Sequence, residues 1–222
     1  MRTKVMDIHL PAYSRGEEIL NMVSHIVGGA LGIVALVLCV AVSALRQNIL
    51  GVVSAVVYGL SMILLYTMSS IYHGLTNETA KKVFRILDHC AIYILIAGSY
   101  TPITLNALRR IDAPLAWFFF GLEWGLAILA VTLTAIDIKK YQVFSMICYI
   151  AMGWGIVAAY QPVLQALTAT GFILLLTGGI LYTVGAVLYG MGKKRKFMHG
   201  VFHIFVFLGS LFQFLCVILY AL

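Results

Sequence analysis

Seven apolar runs, each about as long as a bilayer is thick, take up most of this chain. They fall at roughly 19 to 44, 49 to 73, 86 to 106, 115 to 136, 143 to 161, 169 to 190 and 197 to 221. A hydrocarbon core of ~30 Å takes ~20 residues of helix to cross, and inside it every backbone polar group must be satisfied without water. Transmembrane strands would need segments of about ten residues with strict in-out alternation, whereas these runs are longer and apolar on every side. The expected fold is an all-α integral membrane protein, a seven-transmembrane-helix bundle forming one domain over 1–222. Composition agrees: 62% of residues are hydrophobic and 10% charged, against roughly a quarter charged in soluble chains. The first run is too long for a signal-peptide core and is expected to be retained.

Basic residues fix the expected orientation. Arg2, Lys4, Arg15, Lys81, Lys82, Arg85, Lys139, Lys140, Lys193, Lys194, Arg195 and Lys196 fall on one side of the seven spans, and only Arg46, Arg109 and Arg110 on the other. This puts the N-terminus in the cytoplasm and the C-terminus outside, in the plasma (inner) membrane. The net charge of +7 is then what topology and anionic lipid head groups require, so no nucleic-acid partner is expected, and no soluble protein partner is inferable. Cys39, Cys90, Cys148 and Cys216 all lie in spans and read as small buried hydrophobes, Cys90 being the one with polar neighbours. Gly28 with Gly32, and Gly121 with Gly125, read as close-packing pairs. Pro102 and Pro162 fall near the outer ends of spans three and five.

An ionisable group within a bilayer costs ~2.5–3.5 kcal/mol on insertion scales and marks function by default. The set is short: His25, His73, Asp88, His89, Glu123, His199 and His203. Span two ends inside at His73, span three begins inside at Asp88, and span seven begins inside at His199, so these groups share one depth near the cytoplasmic face. His199 and His203 are i, i+4 and project from the same helix face. With His73 they make the three-ligand set of a catalytic zinc, which leaves a fourth position for water. Soluble zinc hydrolases place a general base between their two helical histidines. Here Gly200, Val201 and Phe202 intervene, so a base must come from another helix. Asp88 is the carboxylate at that depth, able to take a proton from water or to orient a ligand. Ser69, one turn from His73, is placed either to hydrogen-bond to the water, to Asp88 or to a developing oxyanion, or to bond its own backbone. His25 is expected to line the cavity or pair with a neighbouring helix. His89 lies ~100° around the helix from Asp88, so the two do not both face one metal. Glu123, nearer mid-membrane, is expected to bond across helices or read a substrate.

These segments resemble a known family. Ser69-Ser-Ile-Tyr-His73, Leu87-Asp-His-Cys-Ala-Ile-Tyr93 running on to Ala97-Gly-Ser-Tyr-Thr-Pro102, and His199-Gly-Val-Phe-His203 are similar to the motifs of the hemolysin III branch of the progestin and adipoQ receptor family. The similarity extends to Glu17-Glu-Ile-Leu-Asn-Met-Val-Ser-His25. It implies a seven-helix bundle with its N-terminus inside, Zn2+ held by His73, His199 and His203, and Asp88 and Ser69 beside it. Alkaline ceramidases, which cleave the amide of a membrane lipid, belong to the wider superfamily.

Three functions follow as expectations. The first is zinc-dependent hydrolysis of a membrane lipid amide or ester, with Asp88 as base and Ser69 assisting. The second is a non-enzymatic regulator or sensor of membrane lipid state built on a structural zinc, with Asp88 or Cys90 as the fourth ligand. The third, a pore-forming cytolysin, is disfavoured because no span shows a polar stripe that would line a channel.

Overall fold

The computed structural model describes residues 5–192 and 195–222, and every regular element among them is helical. Arg2, Lys4, Lys193 and Lys194, four of the basic residues in the orientation argument, lie outside the described residues. The helices are α1 (Arg15–Leu45), α2 (Ile49–Gly74), α3 (Glu78–Pro102), α4 (Ala113–Ile136), α5 (Gln142–Trp154), α6 (Tyr160–Gly192) and α7 (Met198–Cys216). Their starts follow capping chemistry. Ser14 and Glu17 form a reciprocal capping box on α1, while Asn48, Asn77 and Asp112 accept from the third backbone N–H beyond them on α2, α3 and α4.

Six helical stretches are long and apolar enough to cross a membrane: Arg15–Leu45, Ile49–Gly74, Glu78–Arg110, Ala113–Ile136, Gln142–Met191 and Met198–Ala221. The third begins about two turns before the expected 86, because its polar first turns are paired. Lys81 meets Glu18, Lys82 meets Glu78 and the Met6 carbonyl, and Arg85 donates to the His9 carbonyl. The runs expected at 143–161 and 169–190 lie in one stretch. Its α-helix gives way to a 3-10 turn at Gly155–Ala159, and its backbone leaves helical space only at Thr168 (φ 63, ψ 170). Pro162 is not the stop: it sits in the first turn of α6, where its missing N–H costs nothing.

α1 packs on α2, α2 on α3 and α3 on α4, while α6 packs on α7 and α7 returns to α1, closing the bundle. The stretch Glu78–Arg110, which α3 begins, is the central one, 78% of its most apolar window being buried against 28–50% in the others. The buried positions of α1 are Glu17, Asn21, His25, Gly28, Gly32, Ala35, Cys39 and Ser43, a stripe of helical period. Gly28 and Gly32 let α1 meet α2: a Cβ at Gly28 would enter the Tyr66 ring, and one at Gly32 would stand 3.1 Å from the Ile63 backbone. Gly121 and Gly125 differ from expectation, since nothing lies within 4 Å of where their Cβ atoms would be. The sequence reading also missed a polar stripe. Ser54, Tyr58, Ser61, Tyr66, Ser69 and His73 share the buried face of α2. Several of these bond within the bundle, Tyr66 to Ser210, Asn106 to Ser54, and Ser61 to the Tyr58 carbonyl. All four cysteines are free and buried, as expected.

Candidate metal centre

Three imidazoles converge where the end of α2 meets the start of α7. His73 occupies the last turn of α2, and His199 and His203 occupy successive turns of α7 on one face. The His199 Nε2 lies 3.2 Å from the Nε2 of His73 and 3.0 Å from the Nε2 of His203. One ligand atom from each falls within 4.8 Å of the others, with His73 and His203 buried and His199 partly so.

What stands behind the rings decides which nitrogen faces inward. The His73 Nδ1 lies 2.6 Å from Glu18 Oε2, and the other oxygen of that carboxylate accepts from Lys81 Nζ at 2.7 Å. A carboxylate only accepts, so the His73 proton is on Nδ1 and its Nε2 lone pair points into the cluster. His203 Nδ1 likewise donates to the Asn21 carbonyl at 3.2 Å, with Ser24 Oγ 3.3 Å away. Two lone pairs therefore face one point with His199 Nε2 between them, while His199 Nδ1 is buried without a partner. A single proton on His199 Nε2 satisfies one of those lone pairs and leaves the other opposed. A cation satisfies all three. In tetrahedral zinc sites with Zn–N of 2.0–2.1 Å, neighbouring ligand nitrogens stand roughly 3.3 Å apart, so the spacings here fit such an ion, and the neutral, oriented imidazoles are the donor type it takes.

The chain builds this arrangement from α1 as much as from the histidine helices. Glu17 Oε1 accepts from the Phe197 N–H at 2.8 Å, and Glu17 Oε2 accepts from Ser14 N at 2.8 Å. Glu17 thus caps α1 and also holds the residue that starts α7. Phe197 takes a left-handed conformation (φ 64) there and offers no side-chain cap of its own. Gly200, between the two histidines, is where α7 touches α1. Outside the cluster, the Tyr13 ring stacks on His199 with centroids 5.1 Å apart. Burial first, then neighbouring Tyr189, Tyr72 and Glu18, push the Tyr13 phenol above its usual range.

The other sequence-selected residues separate into neighbours and outliers. Ser69 lies next to the Asp88 carboxylate, yet its buried Oγ makes no hydrogen bond of standard geometry. Asp88 is not among the three groups that share the cluster. His25 stacks on His203 at 3.6 Å between centroids and meets Tyr66 edge-on at 5.0 Å, with both ring nitrogens unpartnered. His89 turns to the Arg85 carbonyl at 2.8 Å. Cys90 points toward α4, its sulfur 3.8 Å from the Val131 carbonyl. Glu123 stands apart, against Gly155 and Tyr100.

Sequence reasoning assigned no role to Glu18, Asn21, Ser24 or Tyr13. The signal was present: Glu17, Asn21 and His25 repeat at i, i+4 in the first turns of a span, next to a helix end already rich in histidine.

Residues 13–214 match the family model described as Haemolysin-III related. The chain is 42% identical over 206 residues to hemolysin-3 of Bacillus cereus, covering 93% of this chain and 92% of that protein. It is 37% identical over 204 residues to the hemolysin-3 homolog of Bacillus subtilis (strain 168), covering 92% and 94%. A shorter similarity, 26% over 108 residues, joins 46% of this chain to 44% of the Homo sapiens monocyte to macrophage differentiation factor.

Proposed function

The chain belongs to the haemolysin-III related family, and we propose that this member is a multi-pass protein of the plasma membrane that holds zinc on His73, His199 and His203 and hydrolyses an amide or ester of a membrane lipid. The observation that carries the reading is the convergence of three Nε2 atoms, two of them with lone pairs fixed inward by Glu18 and the Asn21 carbonyl. When bound, zinc would supply Lewis acidity and lower the pKa of water to about 7. Asp88 takes the proton from the attacking water, and Ser69, one turn before His73 on α2 and next to Asp88, holds that water or the developing oxyanion. Glu18 and Asn21 keep the rings aimed. Tyr13 limits entry from the aqueous side, so the lipid enters from the bilayer.

Topology supports the same depth. A continuous 50-residue helix over Gln142–Met191 would be about 75 Å long, more than twice the hydrocarbon thickness. Division at Thr168 makes two crossings of it and seven in all. The basic ends of α3 and of the α4–α5 connection then lie with the N-terminus in the cytoplasm.

The test is metal content by elemental analysis of the purified chain, together with fatty-acid release from a panel of amide- and ester-linked lipids in liposomes. The wild type is expected to carry about one zinc per chain and to release fatty acid. Asp88→Asn is expected to keep the metal and to lose rate by roughly 10²–10⁴-fold, the usual worth of a general base. Zinc without release from any lipid would sink the hydrolase reading. Glu18→Gln keeps the volume but removes the charge behind His73, and zinc affinity is expected to fall about 10–100-fold, read by chelator competition.

The unpartnered nitrogens of His25, stacked on His203, favour one second reading, a structural zinc in a membrane-state sensor with His25 turning in as fourth ligand. X-ray absorption decides between them through the outer-shell scattering of the imidazole rings: four rings mean the sensor, three rings plus a solvent oxygen mean the open site.

A further inference from the structure

Glu123 lies outside the histidine site, and its surroundings make a second one. It sits near the middle of α4 and is 1% exposed, with Oε2 buried and without a hydrogen-bond partner. Opposite it, α5 ends and opens into the 3-10 turn Gly155–Ala159. A Cβ on Gly155 would stand 3.2 Å from Glu123 Oε1 and 4.0 Å from the Tyr100 hydroxyl, so carboxyl, glycine backbone and phenol meet around one point. The Tyr100 hydroxyl is already committed: it donates to the Met152 carbonyl at 2.7 Å, with the Gly153 carbonyl at 3.2 Å, and accepts from the Ile156 N–H at 3.1 Å.

Charge is what the place lacks. Among the described residues no Lys, Arg or His pairs with Glu123. The titratable group facing it from α3 is the Tyr100 phenol, while Met152 and Gly153 at the end of α5 and Gly155 and Ile156 in the 3-10 turn are uncharged. A bare carboxylate would also oppose the negative C-terminal end of α5. The site therefore calls for a cation. Sodium takes several oxygens, whereas one carboxyl is free here and the nearest carbonyls are engaged by Tyr100; a proton needs only the carboxyl.

We propose that Glu123, Tyr100 and the opened backbone at Gly155 form a proton-binding site inside the bilayer, independent of the histidine cluster. The protonated carboxyl closes over the 3-10 turn, so proton occupancy and the packing of α4 on α5 are linked. Approach is from the lipid beside Gly153 on α5, which has nothing within 4 Å of its Cβ position; Gly121 and Gly125, two residues either side of Glu123, face the opposite side of α4.

Carbodiimides read this state, because they react with a carboxylic acid by taking its proton on nitrogen and its oxygen on carbon. The full chain in liposomes at neutral pH, with chelator present, is treated with membrane-soluble dicyclohexylcarbodiimide or with a water-soluble carbodiimide, and the adduct is mapped by mass spectrometry. The membrane-soluble reagent is expected to mark Glu123 in preference to Glu78, whose side chain is 73% exposed, and the water-soluble reagent to spare Glu123. Glu123→Gln is expected to remain folded and to lose the adduct. Replacing choline chloride by sodium chloride is expected to change nothing. An unlabelled Glu123 in the wild type overturns the proposal whether or not the variant folds, and protection by sodium overturns it in favour of a sodium site.

Discussion

His203→Ala is expected to leave the purified chain without bound metal. The imidazole is buried at 2% exposure, and its Nε2 is 3.0 Å from that of His199. Structural zinc binds small domains with ~10–16 kcal/mol. Loss of one ligand of three removes roughly a third of a comparable figure, about 3–5 kcal/mol, or ~10²–10⁴ in affinity. Competition with a graded series of chelators measures that loss, and elemental analysis after gel filtration reports it directly. Alanine also deletes the ring that stacks on His25 at 3.6 Å and leaves a cavity beside it, a cost of ~2–4 kcal/mol in folding. His203→Gln separates the two effects: it fills most of the volume, so stability is expected to return toward wild type while the metal stays lost. Stoichiometric zinc in either variant would remove His203 from the ligand set. A wild type without zinc would instead defeat the proposed function as a whole.

The sequence made this cluster legible because a membrane leaves so few ionisable residues to choose from. His73, His199 and His203 stand out at equal depth from the ends of two spans, and the i, i+4 spacing of the last pair places both on one face; the structure brings the three together. What escaped was everything carried by contacts between helices. α1 looked like an ordinary span with a polar entry, yet Glu17, Glu18 and Asn21 align both histidine helices through one carboxylate on a ring, one on a backbone N–H and one carbonyl. Those partners are 55 to 182 residues apart in the chain, so the i, i+4 repeat of Glu17, Asn21 and His25 marks a polar face on α1 without saying what that face meets. The break in the fifth stretch has a local basis that the sequence does not display: Pro162 falls in a first turn that accepts it, while Thr168, a β-branched residue that rarely takes positive φ, carries the interruption. Gly121 and Gly125 were read as packing residues from spacing alone, and spacing does not say which face of a helix meets hydrocarbon.

The α1–α7 contact supplies the other large effect, because Gly200 separates the two histidines of α7 and has α1 directly against it. A Cβ there would come 2.5 Å from Leu20 Cδ2 and 3.2 Å from Asn21 Oδ1. Leu20 Cδ2 is the end of a half-buried side chain and can rotate away, so Gly200→Ala is expected to cost little and to keep the metal. A leucine cannot be absorbed in that way. It must push α7 off α1, and the bonds that lengthen are those that set the site: His203 to the Asn21 carbonyl at 3.2 Å and Phe197 to Glu17 at 2.8 Å. Overpacking of this kind costs ~1–3 kcal/mol, so Gly200→Leu is expected to melt at a lower temperature and to lose zinc as fully as His203→Ala, although every ligand and carboxylate is intact. Melting followed by circular dichroism and metal content measured on the same preparations test it. Retention of zinc by the folded leucine variant would mean that the three rings hold their positions without α1, and the role given to Asn21 and Glu17 would fall.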